Sequence, residues 1–178
     1  MSQAIANVPR ALAVALVACL LAASTLGAAK PPKPAKPPAG DAAARREVEA
    51  AMQQYTTLLR TGPPEAVAAL FTADGQLLEP GMDALKGPQA IRSFLEPLVA
   101  AYEVQAASAE TEAVEVFGKT AYQWGTYKQT VVTKSKAAVA PHPAEYRGRY
   151  VASWHREPDG RWRLARMLVQ PFPLATAQ

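Results

Sequence analysis

The stretch "ADGQLLEPG", Ala73 to Gly81, sets a carboxylate, Glu79, between an apolar pair and a proline. A carboxylate held in apolar surroundings has its proton affinity raised and can serve as a general base. The same residue also reads as the polar end of a short strand, in water or paired with Arg92 or Arg166. Asp83 lies four residues further on, but across a Pro-Gly turn that spacing specifies no glycosidase-type pair. His142 stands between prolines in a loop and His155 alternates with Trp154, so both read as surface groups. Two distant histidines without clustered carboxylates make no metal site, and no Gly-rich phosphate loop or other motif calls for a cofactor. Trp124, Tyr127, Tyr150, Trp154 and Trp162 either line a pocket for an apolar ligand or fill the core. With Phe94 and Arg166 added, Trp124, Tyr150 and Trp154 form the candidate ligand-binding set.

These side chains must be positioned by two kinds of element. "DAAARREVEAAMQQYTTLLRTG" has Asp41 as N-cap, Val48, Met52, Tyr55 and Leu59 at helical spacing, and Gly62 as a stop. "PPEAVAALF" opens with prolines suited to a first helical turn and reads as a second helix, ended by Asp74 and Gly75. "QLLEPG" is then a brief strand stopped by Pro80 and Gly81, and "GPQAIRSFLEPLVAAY" is a third helix disturbed at Pro97. From Val104 onward, alternation and abundant Val, Thr, Tyr and Trp predict strands. Gly118 and Lys119 make a tight hairpin. Tyr146, Tyr150 and Trp154 share one strand face with Gly148 and Ala152, and "PDG", Pro158 to Gly160, turns the chain into a last strand. The order is three helices, then an antiparallel meander.

The first forty residues differ in kind from the rest. Met1 to Arg10 carries one cation and no acid, and an apolar, small-residue run follows to Ala29. This reads as a secretory signal peptide over 1–29, with Gly27 and Ala29 before a cut near Lys30. A second reading makes Leu16 to Cys19 a lipoprotein signal, with Cys19 as the lipidated residue. Either way the domain is exported, to the periplasm or beyond, and touches membrane only through this leader or that lipid. Cleavage after Ala29 removes Cys19, the sole cysteine, so the mature chain has no thiol for disulfides, nucleophiles or metals. Residues 30–40, "KPPKPAKPPAG", are a Pro/Lys-rich linker of polyproline character, and 41–175 form one domain. Arg10, Lys30, Lys33 and Lys36 are four of the nineteen bases, which leaves fifteen bases against fifteen acids from Asp41 onward. The formal +4 therefore gives no support to nucleic-acid binding by the domain. Acids outnumber bases twelve to five up to Glu115, and bases outnumber acids ten to three after it. The plain reading is an acidic helical layer beside a basic sheet.

"YTTLL", "AVAALFTADGQLLEP", "GPQAI" and "GRYVASWHREPDGRWRLARM" together resemble the nuclear transport factor 2-like superfamily, above all its SnoaL-like and ketosteroid isomerase-like branches. The resemblance spans about Ala44 to Pro173. It implies an α+β fold in which a cone-shaped, curved antiparallel sheet packs on three N-terminal helices around a pocket, often in a homodimer. In the isomerase branch a first-helix tyrosine and an aspartate before proline at the end of the first strand do the chemistry. Tyr55 and Glu79 match those positions, with glutamate one methylene longer than aspartate. A third element, a protonated aspartate on the strand before the last turn, falls near Ala152, where no acid stands. The resemblance thus implies a module binding a small, largely apolar molecule, an isomerase- or cyclase-like enzyme using Glu79 as base and Tyr55 as donor, or a dimeric scaffold domain.

Overall fold

The computed structural model describes residues 39–135 and 143–172. The expected signal peptide over 1–29 with Cys19, nearly all of the Pro/Lys linker and His142 lie outside the described residues. Helix α1 runs Ala39–Thr61, starting two residues before Asp41. Asp41 thereby sits in the first turn, where a carboxylate still favours the positive end of the helix dipole. Val48 and Met52 are fully buried and Tyr55 nearly so, the apolar stripe that the spacing predicts.

Helix α2 is only Pro64–Ala68, and strand β1 is Phe71–Leu78. "FTADG" is therefore strand, not the end of a helix. The Asp-Gly pair belongs to an irregularity between Phe71 and Gln76, where Thr72 donates to Asp74 Oδ1 at 2.9 Å. Gly75 is required there by close approach, because a Cβ would meet the Leu164 carbonyl and the Phe71 side chain within 3 Å. A short β2, Leu85–Lys86, leads into α3, Gly87–Ala101, which continues through Pro97. Strands β3 (Tyr102–Phe117), β4 (Thr120–Thr133), β5 (Ala144–Arg156) and β6 (Trp162–Pro171) follow.

The six strands lie in the order β2-β1-β6-β5-β4-β3. The sheet is antiparallel except that β1 runs parallel to β6, so it is mixed rather than a pure meander. Antiparallel neighbours here are joined by hairpins, whereas β1 reaches β6 only after α3 and four strands, a crossover that leaves its direction free. Bulges at Val104/Ala106 and Thr111/Ala113 bend β3 and help to curve the sheet. Helix α1 packs on β3 and β6, and α3 on β1, so the helices cover one face. Gln53 Nε2 donates to the Ala109 carbonyl at 3.3 Å, and Trp162 Nε1 to Glu47 at 3.0 Å, tying α1 to both sides of the sheet. Acids are not confined to the helices: Glu103, Glu110, Glu112 and Glu115 stand on β3, so the sheet itself is acidic at one edge and basic across β4 to β6.

Candidate functional site

Period-two alternation decides which strand side chains meet the helices. On β1, Leu77 is buried and faces inward, so Glu79, two residues on, leaves the strand on the same side before Pro80 and the positive-φ Gly81 end it. Glu79 is half-buried, and burial raises its carboxyl above the usual glutamate range. Tyr55 comes from α1, buried, with its ring edge-on to Phe71 at 6.4 Å between centroids. Its phenol is held well above the ordinary tyrosine value, first by burial and then by the nearby Glu79 charge. Tyr127 on β4 is raised by the same two causes in the same order. It shares the inward face with Gln123, and its ring lies over Gly148, where a Cβ would come within 2.7 Å of it. Gly148 is thus the space that the Tyr127 ring occupies.

Tyr55 on α1 and Tyr127 on β4 thus both lie within the electrostatic reach of the Glu79 carboxylate that follows β1. Arg92 instead pairs with Glu96 at 2.7 Å, and Arg166 donates to the Asp74 carbonyl at 3.3 Å. Neither neutralises Glu79, which has no hydrogen bond or ion pair among the described residues. Chemically, the arrangement offers one basic carboxylate and two neutral phenols able to donate to an oxygen. Tyr127 was legible in the sequence only as one aromatic among several. Its counterpart Gly148, directly across the β4–β5 ladder, was the available signal.

The remaining candidates fall elsewhere. Tyr150 and Trp154 are each 1% exposed and belong to a hydrogen-bonded chain in the core. Trp154 Nε1 donates to Gln123 Oε1 at 3.0 Å, Gln123 Nε2 donates to Thr111 Oγ1 at 2.8 Å, and that hydroxyl shares a proton with the Tyr150 phenol at 3.2 Å. Trp124, one residue along from Gln123, points to the opposite, helix-free face, as does Arg166 beside Asp74. Phe94 on α3 is half-buried against the core. Ala152 is fully buried between Gln123 and Met167, so no acid enters from that strand. His155 is exposed. Two surface clefts also occur, of about 350 Å³ between α1 and the β5–β6 turn and about 240 Å³ between α2 and α3, and neither is lined by Glu79 or Tyr55.

A SnoaL-like domain profile matches residues 40–168. Among curated proteins no relative matches. Solved structures share the fold. A ketosteroid isomerase-like protein from Erwinia carotovora atroseptica aligns with a TM-score of 0.63 at 19% identity, covering 72% of this chain and 96% of its own. A conserved protein from Planctomyces limnophilus gives 0.62 at 22%, covering 71% and 96%. An NTF2-like protein with a cystatin-like fold from Novosphingobium aromaticivorans gives 0.55 at 22%, covering 74% and 83%.

Proposed function

Since the chain belongs to the SnoaL-like domain family, we propose that it is an exported domain that binds a small, largely apolar molecule bearing a carbonyl between its helices and sheet, and moves a proton on it. The observation that carries this reading is the half-buried, unpaired Glu79 whose charge reaches the phenols of Tyr55 and Tyr127. A desolvated carboxylate without a partner costs stability, and such a cost is kept where the group has work to do. In the reaction, Glu79 takes a proton from the carbon beside the carbonyl, electrons shift to the oxygen, and Tyr55 donates a hydrogen bond to the resulting enolate. The proton returns from Glu79 at the same or a conjugated carbon, which completes an exchange or an isomerisation. An apolar ligand suits the apolar surroundings of Glu79 and Tyr55, where Phe71 packs edge-on against the Tyr55 ring and Leu77 lies on the Glu79 side of β1.

A binding-only reading rests on a different observation: Ala152 brings no second acid to the enolate. The two are separated by offering cyclic ketones and enones to the mature domain, with native mass spectrometry for retention and NMR in D2O for exchange beside the carbonyl. Retention with exchange that disappears in Glu79→Gln supports proton transfer. Retention without exchange supports binding alone, and neither retention nor exchange overturns both. Mass measurement of the exported N-terminus tests the leader: a free chain starting at Lys30 supports cleavage there, and a lipidated Cys19 replaces it.

A further inference from the structure

The cleft of about 350 Å³ between α1 and the β5–β6 turn combines two kinds of surface. Ala50, Ala51, Ala69, Leu70 and Trp162 supply its apolar part, and Glu47, Gln54, Arg161 and Arg163 its polar part. The volume falls at the small end of the ligand-pocket range of about 300–1,000 Å³, room for one small molecule. Most of the polar groups are already engaged, and what they leave open defines the occupant. Glu47 Oε2 accepts from Trp162 Nε1 at 3.0 Å and from Arg156 at 3.2 Å, which neutralises Glu47 and holds the indole in place. Arg163 makes a fork to Asp159, Nη1 to Oδ1 at 3.2 Å and Nη2 to Oδ2 at 2.8 Å. Arg161 reaches the same carboxylate only through Nε, at 3.2 Å, and through its backbone N–H at 3.0 Å. The pairs Arg156–Glu47 and Arg163–Asp159 cancel, so Arg161 is the cation left over, its two terminal nitrogens without a partner among the described residues. Glu157, the other acid of the turn, does not line the cleft, and its charge acts on Arg163. Gln54 also keeps a free side-chain amide among the described residues.

We infer that this cleft is a second ligand site, separate from Glu79 and Tyr55, and that it takes a small monoanionic carboxylate with an apolar body. Arg161 offers paired N–H donors that match the edge of a carboxylate. Its Nε is already anchored on Asp159, so less side-chain freedom is lost when a ligand is bound. The apolar body removes Leu70 and its alanine neighbours from water, the part of the binding that a bare anion would forgo. A second anionic group is disfavoured by Glu47, whose carboxylate has no N–H to offer it. The site stands on the charge left over at Arg161 and the apolar lining beside it, and holds whether or not Glu79 moves a proton.

NMR of the mature chain tests the inference, following the Trp162 indole N–H and the Arg161 and Gln54 side chains as phenylacetate, its neutral amide phenylacetamide and inorganic phosphate are added in turn. Phenylacetate should shift these signals saturably, with a dissociation constant of about a millimolar, the strength open to so small a ligand. The other two should each bind at least about tenfold more weakly, the amide for want of the charge and phosphate for want of the apolar body. Arg161→Gln, at a side chain 78% exposed, should keep the wild-type circular dichroism and lose at least about tenfold in phenylacetate affinity. No saturable shift, shifts centred on Tyr55 and Tyr127 instead of Trp162, equal binding of phenylacetamide or phosphate, or an unaffected Arg161→Gln variant would each overturn the assignment.

Discussion

Replacing Gln123 by methionine keeps the side-chain length and removes both polar ends from the core. Gln123 is fully buried and is the middle link between Trp154 and Thr111. Without its Oε1, the indole N–H of Trp154, 1% exposed, has no acceptor. Thr111 keeps the Tyr150 phenol as a partner and loses only one donor. One orphaned buried donor costs about 1–3 kcal/mol, so the variant should lose about 2 kcal/mol. For a domain of roughly 130 residues that lowers Tm by about 7 °C. Urea unfolding should show a lower midpoint at unchanged slope. The sharper readout is the double-mutant cycle with Trp154→Phe. Removing the indole as well takes away the orphan, so the two losses should fall short of additivity by about 1–2 kcal/mol. Additive losses, or a single-variant loss below about 0.5 kcal/mol, would refute the claim that this chain is a dry, satisfied part of the core.

Burial raises Glu79 in the folded state, so the fold holds that proton more tightly than the unfolded chain does. Its contribution is fully present below the ordinary glutamate value and is lost as pH rises through the raised one. Glu79→Gln should therefore be more stable than wild type at neutral pH, with the gap closing on acidification, and parallel stability–pH curves would exclude a desolvated carboxyl. Asp159, which accepts from Arg163 and from the Arg161 backbone N–H, should titrate at about 2 by carbon-detected NMR. In Arg163→Gln it should move up toward the ordinary aspartate range, and no movement would show that Arg163 is not its main support. Ala152→Asp buries an unpaired carboxyl at a fully enclosed site and should cost about 3 kcal/mol or more. A variant that folds as well as wild type while gaining proton exchange would show instead that this strand position reaches the ligand.

Local signals in the chain were enough for most of the architecture. Val48, Met52 and Tyr55 declare a helix by their spacing, Gly118 and Gly160 take the positive φ their turns need, and Tyr150, Ala152 and Trp154 alternate into the core as a strand must. The motif around Glu79 likewise pointed to the family and to the acid's place at the end of β1. What it could not decide was anything that depends on partners distant along the chain. The Asp-Gly pair at 74–75 looks like a stop wherever it occurs, and only pairing of Phe71 with Leu164, beyond ninety residues of intervening chain, makes it a bulge in a parallel ladder. Whether Arg92 or Arg166 would neutralise Glu79 was equally open, because a charge's partner is chosen by position in space; both are engaged elsewhere. The same holds for the aromatics. Composition marks Trp124, Tyr127 and Trp154 alike, but strand parity sends Trp124 to the open face, Tyr127 inward over Gly148, and Trp154 into a closed hydrogen-bonded core. Residue type and spacing determine local structure because local structure is made by neighbours, and the tertiary fold alone decides which face, which partner and which solvent each side chain meets.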